Sequence, residues 1–156
     1  MSNQAVRGYY QLTSTIEEQL LLDVNNNTVS IGDISDVNLN KQDIFPLAHI
    51  IVNSVSVEEQ VLRFSITVLA CDIVDQTKDL TTNRFTGNTN EQDILNTQLA
   101  VLNRLIQRLR MGTLHQDLYQ LDGNASLIPF NDRFENQLAG WAADMDILIY
   151  NDIYIC

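Results

Sequence analysis

A chain of 156 residues and 17.7 kDa fits one domain with a real core, since two full domains would each be small. Nine Lys and Arg stand against twenty Asp and Glu, a net charge of −11. That balance argues against tight, sequence-independent binding to nucleic acid, which needs many cation–phosphate contacts, and against adhesion to an anionic membrane surface.

Residues Met1 to Gln11 are polar, and no apolar run approaches the ~20 residues of a membrane-spanning helix, so neither a secretory signal nor a membrane anchor is expected. Cys71 and Cys156 have no motif spacing. Two thiols fit a reducing site of synthesis, with a single disulfide as the open alternative. Without a signal, the triplets Asn26-Asn27-Thr28 and Asn124-Ala125-Ser126 read as chance matches to the glycosylation pattern. The chain holds 16 Asn and 12 Gln but two Lys, so amides and carboxylates keep it soluble.

The first expected helix runs from about Ala5 to Leu22, with Tyr9, Leu12, Ile16 and Leu20 on one face. Ser14 and Glu17 also fit a capping box, which would start the helix at Thr15 instead. A turn at Val24 to Asn27, a short strand at Thr28 to Gly32 and an acidic connection at Asp33 to Phe45 follow. From Leu47 to Val74 the period changes to two, with Leu62, Phe64, Ile66, Val68 and Ala70 alternating with more polar neighbours. This predicts a long antiparallel hairpin with its tip near Glu59. Asp75 to Thr89 lacks periodicity and reads as a long loop. A second helix opens with Asn90 as cap and Glu91 and Asp93 in its first turn. Its stripe is Leu95, Leu99, Leu102, Leu105, Ile106 and Leu109; Arg104, Arg108 and Arg110 lie toward its negative end, and Gly112 stops it. A short helical turn at Leu114 to Tyr119 and a turn at Asp122-Gly123 precede a strand at Ala125 to Phe130. The last strand, Gln137 to Tyr150, places Ala139, Trp141, Ala143, Met145, Ile147 and Ile149 on one face and Asp144 and Asp146 on the other. The expected architecture is a single α+β domain over residues 1–156. Its mainly antiparallel sheet is built from two long hairpins and packed by one long Leu-rich helix plus an N-terminal helix.

Chemistry is sparse. His49 and His115 are the only imidazoles, and no serine sits in a Gly-x-Ser-x-Gly elbow. Cys71, between Ala70 and Asp72, reads as an inert buried thiol. Scattered Cys and His do not make a zinc site. Asp144 and Asp146 form either a wetted strand face or a carboxylate pair able to hold a hard cation. Asp122-Gly123-Asn124 lacks the ligand alternation of a calcium loop. The three arginines of the second helix suit its C-terminal dipole, with phosphate contact as the alternative. No catalytic residue, metal or cofactor is expected.

Several strings carry a resemblance: Leu39-Asn40-Lys41-Gln42-Asp43-Ile44-Phe45-Pro46-Leu47-Ala48-His49-Ile50, Val68-Leu69-Ala70-Cys71-Asp72-Ile73-Val74-Asp75, Asn90-Glu91-Gln92-Asp93-Ile94-Leu95-Asn96-Thr97-Gln98 and Asp132-Arg133-Phe134-Glu135-Asn136. With the order of elements, they resemble the tail terminator and tail-completion proteins of the bacteriophage neck over about residues 5 to 156. The resemblance implies a non-enzymatic virion protein, made in the host cytoplasm. It implies a ring, usually of six copies, that caps the tail tube and joins it to the head-side connector. Its implied partners are further copies of itself, the tube protein, the neck connector and the sheath of a contractile tail, with double-stranded DNA passing unbound. A stopper or head–tail adaptor is the neighbouring reading, and a small metal-dependent hydrolase using Asp144 and Asp146 the more distant one. For a ring, Asp144, Asp146, Glu58 and Glu59 are the expected acidic lining, and Arg63, Arg84 and Arg133 the expected contacts to neighbours or partners. The stretches 33–45 and 75–89 are expected to order on contact with them.

Overall fold

The computed structural model of the protein describes residues 8–33, 44–74, 91–111, 119–133 and 137–150. Their elements are α1 (Gly8–Leu21), β1 (Thr28–Ile31), β2 (Leu47–Val57), β3 (Val61–Ile73), α2 (Glu91–Met111), β4 (Tyr119–Arg133) and β5 (Gln137–Tyr150). The strands form one sheet in the order β1-β2-β3-β5-β4. Over the described residues the fold is α+β, with two helices and a mixed five-stranded sheet. The β2–β3, β3–β5 and β4–β5 pairs are antiparallel, whereas β1 lies parallel to β2 from Thr28↔Leu47 to Ile31↔Ile50. The expectation of a sheet made of two hairpins therefore needs correcting at this edge. A parallel neighbour cannot be reached by a tight turn, and the long connection between Ile31 and Leu47 lets the chain return in the same direction.

The β2–β3 hairpin turns at residues 58–60, as its period predicts. The alternation in β3 is real: Phe64, Ile66, Val68 and Ala70 are buried between half-exposed neighbours. In β5 the odd positions Ala139, Ala143, Met145, Ile147 and Ile149 are buried beneath the helices, while Asp144 is exposed. The main core lies between the helices and this face of the sheet, where Leu12, Ile16, Leu20, Leu102 and Ile147 are almost wholly buried. Each such side chain contributes roughly 1.5–3 kcal/mol. A smaller cluster of Phe45, Leu47, Cys71 and Leu138 covers one end of the opposite face. Gly140 sits there because β3 approaches too closely for a side chain. A Cβ would lie 2.7 Å from Cys71 Cα and run into the Ala70 carbonyl.

The helices depart from expectation in detail. Tyr9 is exposed, and Gly8 and Thr13 join Leu12, Ile16 and Leu20 on the buried face. Thr15 does not begin α1. It sits inside the helix, donating from Oγ1 to the Gln11 carbonyl at 2.6 Å. In α2 the buried seam begins with Ile94, Gln98 and Val101 and continues through Leu102, Leu105, Ile106 and Leu109. Leu95 is half-buried and Leu99 exposed, because the first turns present the face one position earlier. Trp141 explains part of that rotation: its Nε1–H donates to the Leu95 carbonyl at 2.8 Å. The expected turn at Asp122-Gly123 lies inside β4. Between Asp122↔Asp146 and Ser126↔Asp144 the register shifts, so β4 advances four residues while β5 advances two. Gly123, with φ of 69°, takes up the excess as a bulge. Strand β4 already starts at Tyr119, where a helical turn was expected to end.

Candidate functional site

The sheet face away from the helices gathers the acidic residues singled out in the sequence. Asp144 and Asp146 do share this face, two residues apart on β5. Thr67, opposite Asp144 on β3, donates from Oγ1 to Asp144 Oδ1 at 2.5 Å and accepts from Asn53 Nδ2 at 2.8 Å. This chain of hydrogen bonds crosses three strands. Asp146 lies between Ser65 on β3 and Asp122 on β4. Carboxylates directly opposed in a sheet repel. Arg63 offsets that repulsion by pairing with Asp122, and its Nε donates to Glu58 Oε1 at 3.1 Å. All three side chains are open to water, so these pairs add little stability and mainly fix geometry. Glu59 is exposed in the turn beyond them.

The face thus carries Asp144 and Asp146, with Glu58 and Asp122 paired to Arg63. Asp122 is the member not assigned to it from sequence. Its link to Arg63 spans 59 residues, and no local pattern announces it. Arg63, expected as a contact to neighbours, is engaged within the chain by Glu58 and Asp122. Arg133 ends β4 in register with Gln137, and Arg84 lies outside the described residues, as do His115, Cys156 and the stretches 34–43 and 75–90.

The three arginines of α2 are also engaged within the chain. Arg104 grips the buried Asp23 through Nε and Nη2 at 2.7 and 2.8 Å. Arg108 donates to Gln19 Oε1 at 3.1 Å, and Arg110 to the Gly123 carbonyl at 3.3 Å. Burial pushes the Asp23 carboxyl up, but the hydrogen bonds from Arg104 and the Asn25 amide, with the charges of Arg104 and Arg108, outweigh it and hold it below the ordinary value.

His49 has a more specific arrangement than its strand position suggested. It is buried, with Nε2 2.7 Å from the Gly32 carbonyl and Nδ1 2.6 Å from Ser30 Oγ. A carbonyl only accepts, so Nε2 carries the proton. Burial lowers the pKa, against the opposing pull of the Gly32 carbonyl and Asp33, so the ring is neutral and Nδ1 accepts from the Ser30 hydroxyl. The pair comes together because β1 and β2 are parallel and in register there, a contact no spacing rule would show. Its outer nitrogen is committed to Gly32, so it acts as a clasp holding β1 and its following turn to β2.

Among the described residues no three potential metal ligands cluster, and no helix is long and apolar enough to cross a membrane. What the acidic face does chemically is hold negative charge on adjacent strands. Such charge repels phosphate over roughly a Debye length, ~8 Å at physiological salt. No family model matches this chain, and no curated protein matches it significantly.

Proposed function

We propose that this chain is a structural subunit whose copies join edge to edge into a ring at the neck of a tailed bacteriophage, capping the tail tube and leaving a channel for DNA. The phage assignment rests on the sequence resemblance. The ring rests on one observation, that among the described residues the sheet has two open edges of different length whose strands run in opposite directions. Strand β4, from Tyr119 to Arg133, has β5 on one side and no strand on the other among the described residues. At the opposite edge β1 covers only Leu47 to Ile50 of β2, leaving Ile51 to Val57 without an outer neighbour among the described residues.

The alternation of strand directions across β2, β3, β5 and β4 makes β4 antiparallel to β2. A head-to-tail neighbour would therefore lay its β4 antiparallel against the open part of β2. Contacts between unlike surfaces close into rings or run on as filaments, depending on the rotation per copy. Beside the open part of β2 is a groove of about 530 Å³ lined by Tyr9, Ile51, Val52 and Val55, with Val55 and Val57 exposed. These apolar residues supply contact area that subunits with a charge of −11 need in order to associate. With Asp144 and Asp146 facing the hole, the wall repels passing duplex. A stopper or adaptor ring in the same neck would use the same edges.

Light scattering and negative-stain imaging of the purified chain test the reading. The expected result is an annulus whose formation is favoured by salt, which screens the repulsion, and blocked by Val55→Lys, which places a charge on the open edge. A protein that stays monomeric at high concentration, with and without salt, would overturn it.

A further inference from the structure

A polar hollow, open to solvent, lies on the helix side of the sheet, at the end of β3 and beneath the first turns of α2. It measures about 320 Å³ and is lined by Asp72, Asp93, Thr97 and Gln98, with Val24, Pro46 and Ile94 forming an apolar wall and Asn25 at the side. Three features set it apart from an ordinary surface hollow. Gln98 is only 2 % exposed, yet its carboxamide has no hydrogen-bond partner among the described residues. Buried amides are almost always satisfied, so one that lines a cavity without a partner points to something that fills it. Asp72 is half-buried, accepts the Ile73 amide at 2.8 Å, and has no cation beside it among the described residues. Asp93 stands at the mouth, likewise without an ion pair among them. Arg63 is engaged by Glu58 and Asp122, and Arg104 by Asp23.

We propose that this cavity binds an organic cation, a guanidinium or primary ammonium carried on an apolar stem. The two carboxylates select positive charge, and an anion would meet both of them. The volume of about 320 Å³ lies at the small end of the roughly 300–1,000 Å³ of ligand sites. A hard divalent ion takes six or more oxygens, whereas one side of this cavity is apolar. N–H donors match the Asp72 and Asp93 oxygens and the Gln98 carbonyl, and Pro46 and Ile94 lie along the stem. Burial also pushes the Asp72 carboxyl up, as expected for a carboxylate awaiting its counter-charge. The same chemistry is available from a free amine or from an arginine or lysine side chain of a neighbouring copy. Neither source depends on the ring geometry proposed above.

Titration calorimetry of the full-length protein with L-argininamide is the test, against tetramethylammonium and sodium at matched ionic strength. Saturable binding of argininamide is expected, with tetramethylammonium much weaker because it offers no N–H. Asp72→Asn should weaken binding roughly tenfold or more, and Asp93→Asn less, since it is exposed. Gln98→Leu should weaken it several-fold while leaving the unliganded protein at least as heat-stable, which separates a ligand contact from a purely structural role. One-to-one binding at unchanged particle size identifies a free cation as the source. A particle that shrinks as argininamide is added, and stays small in Asp72→Asn, identifies a side chain of another copy. The proposal is overturned if argininamide does not bind at millimolar concentration, if Asp72→Asn binds it equally well, or if tetramethylammonium matches it.

Discussion

The two faces of the sheet are built from the same strands, residue by residue in alternation, yet they are held in different ways. Under the helices, Ile66 and Ile147 are wholly buried against Leu12 and Leu102, and stability comes from area removed from water. On the other face, next to Ile66 and Ile147 in sequence, Thr67 and Asp146 meet solvent, as does Asp144; Thr67 is hydrogen-bonded to Asp144, and Arg63 pairs with Asp122. The difference teaches that one-residue alternation is enough to separate a stabilising surface from a charged one. The second surface costs the fold little because its charges stay hydrated.

That contrast can be broken or sharpened by mutation. The largest loss is expected for Leu102→Ala, about 2–5 kcal/mol by urea denaturation, because the wholly buried side chain leaves a cavity between α2 and the sheet. Gly140→Ala should follow at about 1–3 kcal/mol, since its methyl collides with the β3 backbone. It is the exception on the helix-free face, where packing of the backbone itself decides. Arg104→Met should cost about 1–3 kcal/mol by removing the two Arg104 donors from the buried Asp23 carboxylate and leaving it only the Asn25 amide. In the parent protein the Asp23 carboxyl titrates below its ordinary 3.8, so its contribution is present above that pH and lost as pH falls through the folded value. The variant should lack this acid-sensitive share. His49 behaves in the same direction at a higher pH. Its folded pKa lies below 6.5, so stability is full above 6.5 and declines as pH falls beneath it, and His49→Gln should flatten that slope in pH-dependent melting. Smallest of all, Asp144→Asn should change stability by less than about 1 kcal/mol. A loss as large as that of Leu102→Ala would mean the acidic face is structural, and the contrast would fail.

Much of the fold is legible in the residues. The β2–β3 hairpin, the alternation of β5 and the existence and extent of α2 follow from periods of two and 3.6, which are local properties. What was not legible is equally specific. The Leu95–Leu99 half of the α2 stripe looked as good as Ile94–Gln98–Val101, and only the docking against Trp141 and the sheet selects between them. Asp122-Gly123 reads as a turn from its composition, and becomes a bulge because β5 continues alongside it. Of the expected lining residues, Asp144 and Asp146 were placed on their common face by alternation alone, while the Arg63–Asp122 contact needed two strands brought side by side.

The sequence alone determined where chain segments are helical or extended and which side of each is apolar, because side-chain sterics and burial preference act over a few residues. The tertiary structure alone decided that β1 runs parallel to β2, that Ser30 meets His49, that Arg104 meets Asp23 across 81 residues, and that Gln98 is buried beside Asp72. Those contacts arise when separate elements pack, and the free energy that selects them belongs to the whole assembly of surfaces.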